Sequence, residues 1–188
     1  LRYVAAAAVI LFITLTTLWF LDRMDSADEL MAETVENYTA IHFANTSGNA
    51  PEFHFATSSE EDAEKYLRDH HGVSITVPKI SGARFAGVFM SDFYDGMIAP
   101  LLEYHQPEIG EPIFLFAFNV NDIDRRKNIV RNSEAVEKCV KNTDFHVVEV
   151  DSRHVLSWKW DDNWYTAVSN HNGYDLASLI EPLNYTSP

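Results

Sequence analysis

The sequence predicts an α+β protein: one N-terminal transmembrane helix followed by a globular domain with a mainly antiparallel sheet and a few helices. Three observations predict this. Tyr3 to Leu21 is a run of nineteen residues without a charge, a glycine or a proline. From Gly82 the apolar period becomes two, in short runs separated by turn-forming residues. Elsewhere, stretches with helical spacing carry the start and stop signals of helices.

The apolar run comes first. As a helix it would be about 28 Å long, close to the ~30 Å hydrocarbon core of a bilayer. Its backbone groups would bond within the segment, which lipid requires. Tyr3 marks one end and Trp19 and Phe20 the other, where aromatic rings favour the interface. A cleaved leader would have a shorter apolar region and a small-residue cleavage site, whereas this run continues into LDRMDSADEL. An uncleaved anchor over residues 1–23 is therefore expected. Ala5, Ala8, Thr14 and Thr17 would give it a small, mildly polar surface for contacts with other helices.

Residues 24–48 are expected to form a stalk helix and a loop. Leu30, Val35, Tyr38 and Ile41 recur at roughly helical spacing, and the loop is NTSGNAP, Asn45 to Pro51. Residues 49–188 then form the extracytoplasmic α+β domain. EFHFA, Glu52 to Ala56, alternates as a short strand does. Thr57 to Gly72 is the clearest helix: Ser58 and Glu61 form a capping box, acidic residues fill the first turn, Arg68, His70 and His71 the last, and Gly72 stops it. VSITV, Val73 to Val77, reads as a strand ended by Pro78. GARFAGVFM, MIAPLLEYH and PIFLFAFNV read as an antiparallel meander joined by DFYDG and QPEIGE. Asn121 to Thr143 is polar and charged, with a short helix near Ser133 to Lys141. FHVVEVD, HVLSWKWDD and WYTAVSN are three further strands, and Asp175 to Leu183 is a closing helix.

Composition narrows the function. The chain has 14 basic and 28 acidic residues, a net charge of −14. Setting aside Arg2 and Arg23 among the basic residues and Asp22 among the acidic ones leaves 12 and 27, or −15, beyond the apolar run. Such a domain is repelled by nucleic acid and by an anionic leaflet, so no direct nucleic-acid binding is expected. Arg2 and Arg23 balance at the two ends of the run; the acidic domain is expected outside the cytoplasm. Cys139 is the one cysteine, which excludes an internal disulfide, and no CxxCH or CxxC occurs.

The motif order is an apolar helix, a capped helix, GVSITVPKISGARFAGVFM, a hydrophobic hairpin ending PIFLFAF, then VLSWKWDDNWYTAVSN and a last helix beginning DLASLI. Over residues 57–183 this resembles the extracytoplasmic part of membrane-anchored anti-sigma factors and related single-pass transmembrane regulators. That family shows a short helix, a vPxL-like segment, a strand with two glycines, a tryptophan-containing hairpin and a valine-serine strand. The resemblance implies the domain type and a single-pass topology in a bacterial inner membrane, with the C-terminal domain in the periplasm. The family's cytoplasmic zinc module, with its HxxxCxxC signature, is not among these residues, so its sigma-binding activity is not implied.

A search for chemistry finds little. GxSxG, HExxH, GxGxxG and GxxxxGK are absent. His70 and His71 are adjacent and suit the C-terminus of a helix better than a metal pair. His42 and His54 could meet across a loop. Asp92 with Asp95, and Asp161 with Asp162, fit solvated turns. Cys139 lies near Lys138 and Lys141, which would favour its thiolate, but a structural or merely exposed thiol is the plainer reading. No catalytic residue, metal or cofactor is assigned. Trp158, Trp160, Trp164 and Tyr165 form an aromatic hairpin, with Trp158 and Trp160 on one strand face. Core packing is the plain reading of it and a protein interface the functional one. The expectation is a non-catalytic, membrane-anchored protein that binds other proteins as an accessory or scaffold subunit. Its partners would be the lipid bilayer and integral-membrane or extrinsic proteins. The alternative is an anti-sigma-type regulator whose cytoplasmic module is missing from this chain.

Overall fold

A computed structural model describes residues 33–46, 52–108, 110–181 and 183. The chain divides into two compact units, Leu1–Glu33 and Thr34–Pro188. The second holds the fold. Its elements begin with a two-residue strand β1 (Glu33–Thr34), helix α1 (Val35–Thr46), β2 (Phe55–Ala56) and α2 (Glu60–His71). A meander follows: β3 (Arg84–Tyr94), β4 (Met97–Gln106) and β5 (Glu111–Asn119). A short excursion holds α3 (Val120–Asp124), β6 (Ile129–Val130) and α4 (Ser133–Lys138). A second meander, β7 (Phe145–Val150), β8 (Arg153–Trp160) and β9 (Asn163–Val168), leads to α5 (Gly173–Leu179).

The expected fold, led by a transmembrane helix, is corrected. Among the described residues no helix is long and apolar enough to cross a membrane. The longest, α1 and α2, have 12 residues each, about 18 Å, well short of a bilayer's apolar core. The run from Tyr3 to Leu21, with Ala5, Ala8, Thr14 and Thr17, lies outside the described residues, as do residues 24–32 and 47–48 of the expected stalk and loop; the rest of that segment holds α1.

The two meanders join through β5 and β9, giving one sheet in the order β2-β3-β4-β5-β9-β8-β7, antiparallel throughout. β5 is central, and Ile113 to Phe118 are all buried. Its side chains alternate between two cores, as a pleated strand requires. Ile113, Leu115 and Ala117 pack with α2, α5 and residues 75–80 on one face. Phe114, Phe116 and Phe118 pack with α1, α3 and α4 on the other. Helices on both faces explain the continuous apolar run, since neither side of the strand meets water.

Local chemistry sets the element ends. α2 starts at Ser59, whose hydroxyl accepts from the Asp62 N–H at 3.1 Å, one residue later than the expected cap. Gly72 closes it with φ +66°, its N–H reaching the Arg68 carbonyl. Asp95 and Gly96 between β3 and β4, and Asp151 and Ser152 between β7 and β8, all have positive φ. Two such residues in succession make the mirror-image turn whose twist matches that of the paired strands.

The expected strand Val73 to Val77 is corrected: these residues join no ladder. They run across the first face and bond to side chains instead. The Tyr165 hydroxyl accepts from the Thr76 N–H at 3.1 Å and donates to the Thr76 carbonyl at 3.0 Å. Glu64 accepts from the Val77 N–H at 2.8 Å, and the Tyr104 hydroxyl donates to the Pro78 carbonyl at 2.6 Å. Buried backbone groups need partners, and a ladder is only one way to supply them.

Candidate functional site

The aromatic hairpin is not a surface patch. Trp158, Trp164 and Tyr165 are each 0% exposed, and Trp160 is partly buried against the same core. Trp158 stacks on Tyr165 with ring centres 5.2 Å apart. Trp164 points to the opposite face. The interface expected at Trp158, Trp160, Trp164 and Tyr165 is therefore corrected: Trp158, Trp164 and Tyr165 are core, and Trp160 is half-buried at its edge. β8 and β9 are interior strands with helices over both faces, so most of the hairpin is shielded from solvent. Strand alternation correctly places Trp158 and Trp160 together but cannot tell that both faces are covered.

Trp164 contributes to a buried polar centre instead. Glu36, at the start of α1 and 0% exposed, accepts from the Trp164 indole N–H at 3.2 Å and from the Ser157 hydroxyl at 2.9 Å through one carboxylate oxygen. Its other oxygen accepts from the Asn132 N–H at 3.0 Å. One turn along, the Thr39 and Thr166 hydroxyls meet at 2.6 Å. Burial raises the Glu36 carboxyl above its ordinary range, against the pull of these donors toward the charged form. The network ties α1 to β8, β9 and the start of α4. Both carboxylate oxygens of Glu36 accept bonds from within the fold, so it holds the helix.

The remaining sequence candidates separate. His42 bonds to the Phe93 carbonyl at 2.9 Å and stacks on that ring. His54 accepts from the Met90 N–H and stacks on Phe89. Each imidazole thus has its own local partners. His70 and His71 are exposed at the end of α2, and Asp92, Asp95, Asp161 and Asp162 are exposed in or beside turns. Among the described residues no group of three or more His, Cys, Asp or Glu is placed to hold a metal. Cys139 is a buried thiol, 3% exposed, and it faces the Ser157 carbonyl at 3.4 Å. Burial pushes it up to about 12, with Asp144 and Glu36 adding to the rise and Lys138 opposing it.

The open feature is a cavity of about 660 Å³ at one end of the sheet. Its floor continues the first sheet face. Ile98 and Pro100 extend the row of Leu102 and Tyr104 on β4, and Asn119 extends the row of Leu115 and Ala117 on β5. Past Gly72, Val73 and Ser74, no described helix covers this corner, and Ile98 is 56% exposed. Asn163 forms a wall, its amide donating to the Ser74 carbonyl at 3.1 Å. Arg125 and Arg126 stand on the rim with Asn121 and Asp122. Arg125 has only a 3.9 Å contact with Asp122, both side chains being largely exposed, an interaction worth little in water. Arg126 gives one N–H to the Asp95 carbonyl at 3.3 Å. The hydrophobic and charge patterns of the sequence did not single out this site. The signal was Arg125-Arg126-Lys127, the one run of three basic residues in the chain. A smaller cavity of about 520 Å³ lies near β2, between Phe53, Arg84, Phe85 and His105.

No family model, curated protein or solved structure matches this chain.

Proposed function

We propose that this protein works by contact, as a non-catalytic accessory subunit that binds another protein at the cavity around Ile98. The observation that carries the reading is the composition of that corner. An isoleucine on a regular strand is more than half exposed beside Pro100 on the cavity floor, and asparagine and arginine side chains rim it. Protein interfaces combine an apolar anchor with a polar rim, and arginine is enriched in them. The volume suits a short peptide segment or a loop rather than a whole folded face. The floor belongs to a sheet packed against a core on each face elsewhere, so the site is preformed and binding requires little ordering of this chain.

A photocrosslinking residue placed at Ile98 in the native host tests the reading. It should capture one discrete protein, while the same residue at Glu61, exposed on α2, should not. Identical labelling at both positions would remove the cavity as an interface.

A further inference from the structure

We infer that the segment received at this cavity is an acidic peptide, its carboxylates meeting Arg125 and Arg126 and an apolar side chain resting on Ile98. The inference rests on the protein-binding reading above and names the partner's chemistry. Basic residues are scarce in this chain, 14 against 28 acidic ones, yet three stand consecutively at 125–127, and the first two of them line the cavity. The fourth nearby, Arg131, is occupied elsewhere. Its guanidinium lies 5.3 Å over the Trp164 ring and bonds Asp124 at 2.9 Å and 3.0 Å. Arg125 and Arg126 have no such engagement. Their contacts with Asp122 and the Asp95 carbonyl are long, leaving most guanidinium donors facing the cavity mouth or water. A guanidinium presents five donors in a fork that matches a carboxylate, so a glutamate or aspartate side chain is its complement.

Polyanions and bilayers carry the same charge sign but fit the site less well. A chain with net charge −14 repels a nucleic acid or an anionic membrane over their whole extent, while a short peptide brings only a few charges. At physiological salt the Debye length is about 8 Å, so such a peptide responds to the local arginines more than to the distant acidic surface. The site is also concave, with Ile98 and Pro100 on its floor, a shape that receives a side chain and not a flat headgroup layer.

The test is fluorescence anisotropy on the full chain with a labelled peptide, Glu-Leu-Glu-Pro-Glu-Leu-Glu, and its counterpart with glutamine for every glutamate. Phosphatidylserine vesicles and a single-stranded oligonucleotide serve as further probes. The acidic peptide should bind, and the double variant R125E/R126E, altered only at side chains on the rim, should weaken it roughly tenfold or more with an unchanged thermal transition. The glutamine peptide should bind at least as weakly to the native protein. Equal binding of both peptides, lost together in Ile98→Ser, would overturn the acidic assignment and leave the protein-binding reading standing. Vesicle or oligonucleotide binding without peptide binding would overturn it as well. No peptide binding together with no crosslink at Ile98 would remove both.

Discussion

Glu36 and Ser157 stand 121 positions apart in the chain, and a 2.9 Å hydrogen bond joins the Ser157 hydroxyl to the Glu36 carboxylate in the buried interior. Trp164 and the Asn132 backbone donate to the same group. α1 is thereby held by a polar centre as well as by Val35, Ala40 and Phe43. Removing the acceptor leaves the three donors without their common partner. Glu36→Ala should cost about 3 kcal/mol or more, at roughly 1–3 kcal/mol for each buried group left unsatisfied. Urea unfolding measures this; a loss below about 1 kcal/mol would mean that the centre is relaxed by water.

The same residue sets a pH dependence. Burial raises the Glu36 carboxyl above 4.5 in the folded chain, so the folded state holds that proton more tightly than the unfolded one. The stability this supplies is fully present below pH 4.5 and is lost as pH rises through the raised folded value. Glu36→Gln cannot titrate. It pays a constant cost where its amide meets the Asn132 N–H, but the gap between it and the native protein should narrow as pH rises from 4.5 toward neutrality. Urea midpoints across that range decide the matter, and a gap independent of pH would refute it.

Cys139 should be inert while the chain is folded. Its thiol is buried and pushed up to about 12, so the reactive thiolate is nearly absent at pH 8. A chromogenic disulfide reagent should label it slowly, at a rate set by opening of the structure, and quickly in urea. Labelling of the folded protein at the rate of an exposed thiol would contradict the placement of this side chain.

The β7–β8 turn places Ser152 at φ +64°, a conformation costly for a residue with a side chain. Ser152→Gly should stabilise by about 0.5 kcal/mol, the relief of strain being partly offset by the greater freedom of glycine when unfolded. Gly96, at φ +73° with no atom within 4 Å of an added Cβ, provides the converse. Gly96→Ala should destabilise by about 1 kcal/mol through backbone strain alone. Thermal unfolding of the pair checks both signs, and a matching direction in the two variants would exclude strain as the cause.

Much of the local chain was determined by the residues themselves. The cap residues of α2, the Gly72 stop and the aspartate-rich hairpin turns act within a few positions, so neighbours alone specify them. The period of two in the strands is equally local. What covers each strand face is not. Only tertiary structure brought β9 beside β5 and helices over both sides of the sheet, turning Trp158, Trp164 and Tyr165 from a possible interface into core. Only it lowered Glu36 into the interior, where distant donors make burial of a carboxylate tolerable, and buried Cys139. Val73 to Val77 has the composition of a strand, but the side chains of Tyr165, Glu64 and Asn163 took up backbone bonds of this segment. The cavity arose in the same way. Arg125 and Arg126 are visible in the sequence, but Ile98 and Gly72 reach them only through the folded sheet, because a concave site is made by residues far apart in the chain.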